Sequence, residues 1–237
     1  MTKRIWELDA VRGICVLGMV IVHLIYDLGS LGFEAASPLF QFVQHWGGTA
    51  FVLICGICVT LGKKHIRRGL IVFGCGMLCT AVTAGMYRLG LAGKDIVIYF
   101  GVLHCLGVCM LFWSFLRRLS NWPLSVTGIL LCAAGHFLER VTLVDFPWLV
   151  PLGFQYPGFF TSDYFPLLPN LGYFVFGILL GRTLYRRRET LLPQINSHSL
   201  PVRFLCECGR RSLIIYLLHQ PLITGILALF TVRSDTR

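Results

Sequence analysis

Charged residues are scarce in this sequence. Lys, Arg, Asp and Glu make up 14% of its 237 residues, whereas a soluble domain carries about a quarter. Hydrophobic residues reach 56%, and the mean hydropathy is +0.73. This composition excludes an ordinary soluble domain and predicts an integral membrane protein.

The sequence also lacks three patterns. Its 10 cysteines show no His or Cys ligand spacing, so we interpret most of them as small apolar side chains within helices. No internal repeat is evident, although transporters are often built from inverted repeats. The first apolar run is too long for a signal peptide and has no clear cleavage site, so we expect it to remain as a span.

Long apolar runs are what the sequence has in abundance, and a span needs roughly 20 apolar residues. They predict an all-α, polytopic transmembrane bundle in the cell membrane, forming one domain over residues 1–237. We place seven spans, at about residues 10–29, 37–62, 69–87, 98–116, 122–138, 165–185 and 212–231.

Basic residues alternate between the two sides of this bundle. They cluster before the first span and after the second, fourth and sixth spans, as in "KKHIRR" and "YRRRET". Cytoplasmic loops carry such an excess of Lys and Arg, which predicts a cytoplasmic N-terminus and an outer C-terminus. The net charge of +10 is therefore assigned to the bilayer and its anionic headgroups, not to nucleic acid.

The first span carries ionisable residues inside an apolar run, "LDAVRGICVLGMVIVHLIYDL". Successive residues of an α-helix turn by about 100°, so Arg12 and His23 share nearly one face and lie about 16 Å apart along the axis. Asp9 and Asp27 fall close to the same line. Ionisable groups within spans face the bundle interior or a wet cavity and are functional candidates. The pattern predicts a polar stripe that faces a cavity.

His23 and Asp27 are the first candidates for catalytic residues. Their i, i+4 spacing allows the side chains to meet on one face. A carboxylate beside an imidazole orients the ring and stabilises the imidazolium, as a general base requires. The alternative is a structural His–Asp pair that links helices.

Further polar residues fall at the same predicted depth. Gln44 and His45 lie in the second span, His104 opens the fourth, His136 ends the fifth and Asp163 precedes the sixth. Each alone is typical of an interfacial or helix-linking group, but together they predict a polar cavity that opens outward.

The last span has a polar stripe of its own, in "SLIIYLLHQP". Ser212, Tyr216 and His219 are spaced by four and three residues, so they share a helix face. Pro221 would loosen the preceding turn. A kinked packing helix with a hydrogen-bonded His219 and a functional stripe both remain open.

Four stretches of the chain combine apolar runs with the polar residues named above: "RIWELDAVRGICVLGMVIVHLIYDL", "IYFGVLHCLGV", "DYFPLLPNLGYFVFGILLG" and "RRSLIIYLLHQPLI". These stretches resemble the small prokaryotic members of the heparan-α-glucosaminide N-acetyltransferase-like family. The Arg-x10-His spacing of Arg12 and His23 is also similar to the first-helix motif of the transmembrane acyltransferases that modify cell-surface sugars. The resemblance covers nearly the whole chain in order.

The resemblance implies an enzyme that takes an acyl group from cytosolic acetyl-CoA or another acyl-CoA. The acceptor would be a sugar or glycan on the far side, with no metal required. The motif histidine maps onto His23, whereas the lysosomal relative uses a histidine in the loop after its first span. This chain has no histidine between His23 and His45, so both stay candidates, with His104 as a further cavity histidine.

The remaining expected roles divide between the donor side and the acceptor side of the membrane. Arginine matches phosphate geometry well, so we expect Arg12 to bind the acyl-CoA phosphates, together with Ser212, Tyr216 and His219 on the last span. On the acceptor side we place three residues: Gln44, Asp163 and Tyr164.

Two other classes remain open. A proton-coupled carrier would also place His and Asp inside the membrane. A noncatalytic scaffold is the third class, but it would not need Arg12 and His23 in register. A homodimer is an open alternative for the assembly.

Overall fold

A computed structural model of the chain describes residues 4–29, 37–138, 140 and 146–234, with side chains described up to residue 227. These residues form eight α-helices and two short 3-10 helices, and they contain no β-strand. The α-helices are α1 (Trp6–Gly29), α2 (Pro38–Leu61), α3 (His65–Arg88), α4 (Val102–Leu116), α5 (Asn121–Leu138), α6 (Leu167–Thr183), α7 (Leu200–Arg210) and α8 (Ser212–Ser234). The 3-10 helices are Lys94–Ile96 and Pro147–Leu152. The all-α prediction is confirmed for this part of the chain.

Within the described part of the chain, three helices are long and apolar enough to cross a membrane, namely α1, α2 and α3. Shorter apolar helices are α4, α6 and the Ser212–Leu227 part of α8. The seven spans, their orientation and the cell-membrane location remain predictions. The sequence pattern does not predict α7. This helix is amphipathic, with one apolar and one polar face, so its residues form no continuous apolar run.

The chain divides into two compact units, Met1–Phe51 with Arg188–Arg237, and Val52–Arg187. The single domain over residues 1–237 therefore stays a prediction.

The first unit is organised by α1, which packs against α7 and α8. α1 and α7 cross so closely that a Cβ atom on Gly13 would overlap the carbonyl oxygen of Leu205, and one on Gly209 would overlap that of Asp9. Small residues allow such close approach of helices in membranes. The crossing fixes the N-terminal half of α1 against α7.

A buried carboxylate fastens the segment before α7 to the same end of α1. Glu7 is 5% exposed. Its two oxygens accept hydrogen bonds from the backbone N–H of Leu191 at 2.7 Å and from the hydroxyl of Thr190 at 2.8 Å. A buried charge needs such partners, so this contact holds the chain that leads into α7 and α8.

The second unit pairs α3 with α4, and α5 with α6. The 52–61 part of α2 approaches α6 through Gly56 and Gly177, where a Cβ atom would overlap a facing backbone carbonyl. Arg182 of α6 closes the end of α4, since its guanidinium donates to the carbonyl oxygens of Leu119 at 2.7 Å and Arg117 at 3.1 Å. Backbone carbonyls outside a helix need such partners, so Arg182 fastens the turn that follows α4.

Candidate active site

The polar stripe of α1 faces α8. The Nη2 of Arg12 donates to the Oγ of Ser212 at 2.8 Å. Further along α1, the rings of His23 and His219 lie 4.9 Å apart between centroids. One turn later, the amide Nε2 of Gln220 donates to the Oδ2 of Asp27 at 2.9 Å. The two stripes that the sequence predicts separately are therefore opposite each other.

Cations surround a single carboxylate at the N-terminal end of this contact. The carboxylate of Asp9 lies 3.9 Å from Arg12, 3.3 Å from Arg210 and 3.8 Å from Arg4. Burial would lower the pKa of the Arg210 guanidinium, but the hydrogen bond and charge of Asp9, together with the hydrogen bond to Glu207, raise that pKa above its ordinary value. The cluster keeps an excess of positive charge, and the buried Nε of Arg12 has no hydrogen-bond partner among the described residues.

Two imidazoles meet in the middle of the contact. His219 is 8% exposed, and its Nδ1 lies 2.6 Å from the carbonyl oxygen of Tyr216. A carbonyl only accepts, so Nδ1 carries the proton, which fixes the tautomer of the neutral ring. His23 is less buried than His219. Two imidazolium rings at this separation would repel each other, so the pair favours at most one positive charge.

Asp27 completes the cluster. Its side chain is half-buried, and it lies one helical turn beyond His23 on the same face of α1. Sequence reasoning missed its partner, Gln220. The available signal was a polar amide next to His219 in an otherwise apolar helix, since polar groups within spans are costly and seldom incidental.

Gln44 and His45 lie elsewhere on the first unit, on an exposed part of α2. The ring of His45 packs edge-on against Trp46, with centroids 4.8 Å apart. The structure does not bring them into the α1–α8 contact. A catalytic role for His45 and an acceptor-binding role for Gln44 remain predictions.

His104 belongs to a hydrogen-bond network in the second unit, at the start of α4. It is 2% exposed. Its Nδ1 accepts from the backbone N–H of Gly101 at 3.2 Å, and its Nε2 lies 3.3 Å from the hydroxyl of Thr80. That hydroxyl donates to the carbonyl of Ile98, so it accepts from a protonated Nε2. The geometry makes His104 a neutral ring that holds the start of α4, and its catalytic role remains a prediction.

Asp163 and Tyr164 stabilise the same region. The Asp163 carboxylate accepts from the backbone N–H of Val102 at 3.2 Å, which places negative charge at the N-terminus of α4, where it is favourable. The Tyr164 hydroxyl donates to the carbonyl of Val150 at 2.9 Å, and burial raises the pKa of Tyr164 to about 12. Their acceptor-binding roles remain predictions.

His136 lies at the end of α5 and is exposed. Its Nε2 is 3.0 Å from the hydroxyl of Tyr173. The outward cavity predicted from all of these residues together remains a prediction. Among the described residues, no group of three or more His, Cys, Asp or Glu side chains is arranged to hold a metal ion.

Comparison with known proteins adds one finding to this geometry. Residues 4–221 match the family model described as heparan-alpha-glucosaminide N-acetyltransferase, catalytic. The matched range runs from before the start of α1 to Pro221, so it contains Arg12, His23 and Asp27 and the α8 residues that contact them. No curated protein and no solved structure matches the chain. The chain belongs to the heparan-alpha-glucosaminide N-acetyltransferase catalytic family, a family of membrane acetyltransferases.

Proposed function

We propose that this protein transfers an acyl group, acetyl first, from cytosolic acyl-CoA to an amino sugar or glycan hydroxyl on the far side of the membrane. Family membership supports acetyl transfer. The observation that carries the proposal is the α1–α8 contact, which has cations at one end and a histidine pair with a carboxylate further along. The acyl-CoA donor then approaches from the Arg12 end of the α1–α8 contact, the acceptor approaches from the other end, and they meet at His23.

Arg12 and its neighbours are suited to the anionic end of acyl-CoA. Guanidinium groups form paired hydrogen bonds with phosphate, and the Asp9 carboxylate offsets only part of the charge of the three arginines around it. Arg12 and His23 are about 16 Å apart along the helix axis. An extended pantetheine arm that follows α1 would bring the thioester from the phosphates at Arg12 to His23, passing the hydroxyl of Ser212.

His23 then acts as general base. It removes the proton from the acceptor amine or hydroxyl as that group attacks the thioester carbonyl. The tetrahedral intermediate collapses, the carbon–sulfur bond breaks, and the CoA sulfur leaves with the proton that His23 took up. Asp27 stabilises the transient imidazolium. A covalent acyl-histidine is the alternative route, and His45 and His104 are the alternative bases.

The test is whether the purified protein recognises acetyl-CoA and transfers from it. Thermal unfolding is followed in lipid nanodiscs with and without acetyl-CoA, because a ligand that binds only the folded state raises the unfolding temperature. Labelled acetyl transfer is then measured in proteoliposomes against a panel of amino sugars and glycan hydroxyls, with donor supplied on one side at a time.

We expect stabilisation by acetyl-CoA, transfer to at least one acceptor class, and donor use from one side only. A carrier or a scaffold has no reason to bind acetyl-CoA. Absence of both stabilisation and transfer would contradict the proposal, and a proton flux without acetyl-CoA binding would favour the carrier.

A further inference from the structure

Gln220 is a polar amide in an apolar helix, and neither the sequence pattern nor the proposed chemistry assigns it a role. It follows His219 directly in α8 and is half-buried. Its Nε2 donates to the Oδ2 of Asp27 at 2.9 Å. A hydrogen bond to an ionised group is among the stronger ones, so this contact fixes one oxygen of the carboxylate.

The carboxylate also fixes the orientation of the amide. An ionised carboxylate can only accept, so the NH2 end of Gln220 must face Asp27. The Oε1 atom is then buried and has no hydrogen-bond partner among the described residues. Leaving a buried acceptor without a donor is unfavourable. The hydrogen bond to Asp27 is therefore the contact that orients the Gln220 amide.

α8 contacts both candidate catalytic residues of α1 through consecutive positions. His219 packs on His23, with ring centroids 4.9 Å apart, and Gln220 binds Asp27. Asp27 lies one helical turn beyond His23 on the same face of α1, so its charge is close to the ring of His23. One helix thus sets the position of the imidazole and, independently, the position of the carboxylate that acts on it.

We propose that Gln220 is a positioning residue for the transfer reaction, which acts by holding the Asp27 carboxylate in place beside His23. The proposal rests on the proposed function of His23 and Asp27. Gln220 itself does not exchange a proton with substrate. Without this N–H donor, the Asp27 carboxylate loses one of the contacts that orient it, and the developing imidazolium on His23 loses part of its support.

The first measurement separates positioning from binding. In Gln220→Leu, kcat should fall about tenfold, the effect of one charge-assisted hydrogen bond, while KM for acetyl-CoA stays within about twofold of wild type. In an Asp27→Asn background, Gln220→Leu should have no further effect, because the carboxylate that it holds is gone. Gln41→Leu, at an exposed glutamine of α2, is the matched control and should leave kcat unchanged.

The second measurement does not depend on activity. Protein labelled with 15N-histidine is studied in nanodiscs, and the His23 ring signals are identified by their loss in His23→Gln. Gln220→Leu and Asp27→Asn should move these signals in the same direction and leave those of the exposed His198 unchanged. Gln220→Met, which keeps the unbranched shape, replaces Gln220→Leu if the latter does not fold.

Two results would overturn the inference. One is a His23 signal that is identical in wild type and the Gln220 variant. The other is the same loss of kcat from Gln220→Leu with and without the Asp27 carboxylate, which would make the role structural. If acetyl-CoA does not stabilise wild type and wild type transfers to none of the panel, the proposed function fails, but the ring signals still decide whether Gln220 positions Asp27.

Discussion

Replacing Arg12 by alanine should weaken acyl-CoA binding more than it weakens the fold. A guanidinium contact with a phosphate contributes about 1.5–3 kcal/mol, which corresponds to a Kd increase of about 10- to 100-fold. The fold loses less. The hydrogen bond from the charged guanidinium of Arg12 to the hydroxyl of Ser212, at 2.8 Å, contributes about 1.5 kcal/mol. Alanine also removes the buried Nε of Arg12, which has no hydrogen-bond partner among the described residues, and this offsets part of the loss. The 3.9 Å pair with Asp9 is partly exposed and adds less than about 1 kcal/mol.

The assay is titration calorimetry with acetyl-CoA in nanodiscs, beside thermal unfolding of the same samples. Arg4→Ala is the control, since Arg4 also lies near Asp9 but its side chain is 66% exposed. It removes the same formal charge without the contact to α8, so its Kd should change by less than about threefold, as a screened surface charge would. Equal affinities of wild type and Arg12→Ala would show that the phosphates bind elsewhere.

Three further predictions concern the scaffold and are checked by unfolding. Arg182→Leu should lower the free energy of unfolding by about 2–4 kcal/mol, because the carbonyls that follow α4 lose their donor. Arg182→Lys should recover part of this loss, and an unfolding midpoint in Arg182→Leu equal to that of wild type would contradict the role of Arg182. Gly13→Ala should cost about 1–3 kcal/mol from overlap with α7, whereas Gly74→Ala, where a Cβ atom meets nothing within 4 Å, should be neutral or stabilising. Burial raises the pKa of Tyr164 to about 12, above the ordinary value of about 10. Its contribution to stability is therefore complete below about pH 10 and is lost as pH rises towards 12, and Tyr164→Phe should show a smaller alkaline loss than wild type.

The positions of the long helices could be predicted from the sequence, because they depend on local composition. Apolar runs located all of the long helices, and the 100° rotation per residue placed Arg12, His23 and Asp27 on one face of α1. These features are set within a single helix. Which neighbour covers that face depends on tertiary packing, so the pairing of His23 with His219 could not be deduced.

The residues that sequence reasoning missed depend on contacts between distant parts of the chain. α7 is too polar for a span, and its place is set by the close crossing at Gly13 and Gly209. Gln220 lies 193 positions from Asp27. The same reason applies to Asp163 and His104. The sequence predicts that both line a cavity, whereas the structure shows each of them accepting a hydrogen bond from a backbone N–H at the start of α4.

The most direct test of the central claim is acyl transfer by His23→Ala. Loss of a general base typically slows the reaction by about 10²- to 10⁴-fold, and we expect this loss while the variant still folds and binds acetyl-CoA with wild-type affinity. Asp27→Asn should lose less, since the imidazole remains. Wild-type turnover in His23→Ala, combined with an inactive His45→Ala or His104→Ala, would contradict the assignment of His23 as the base.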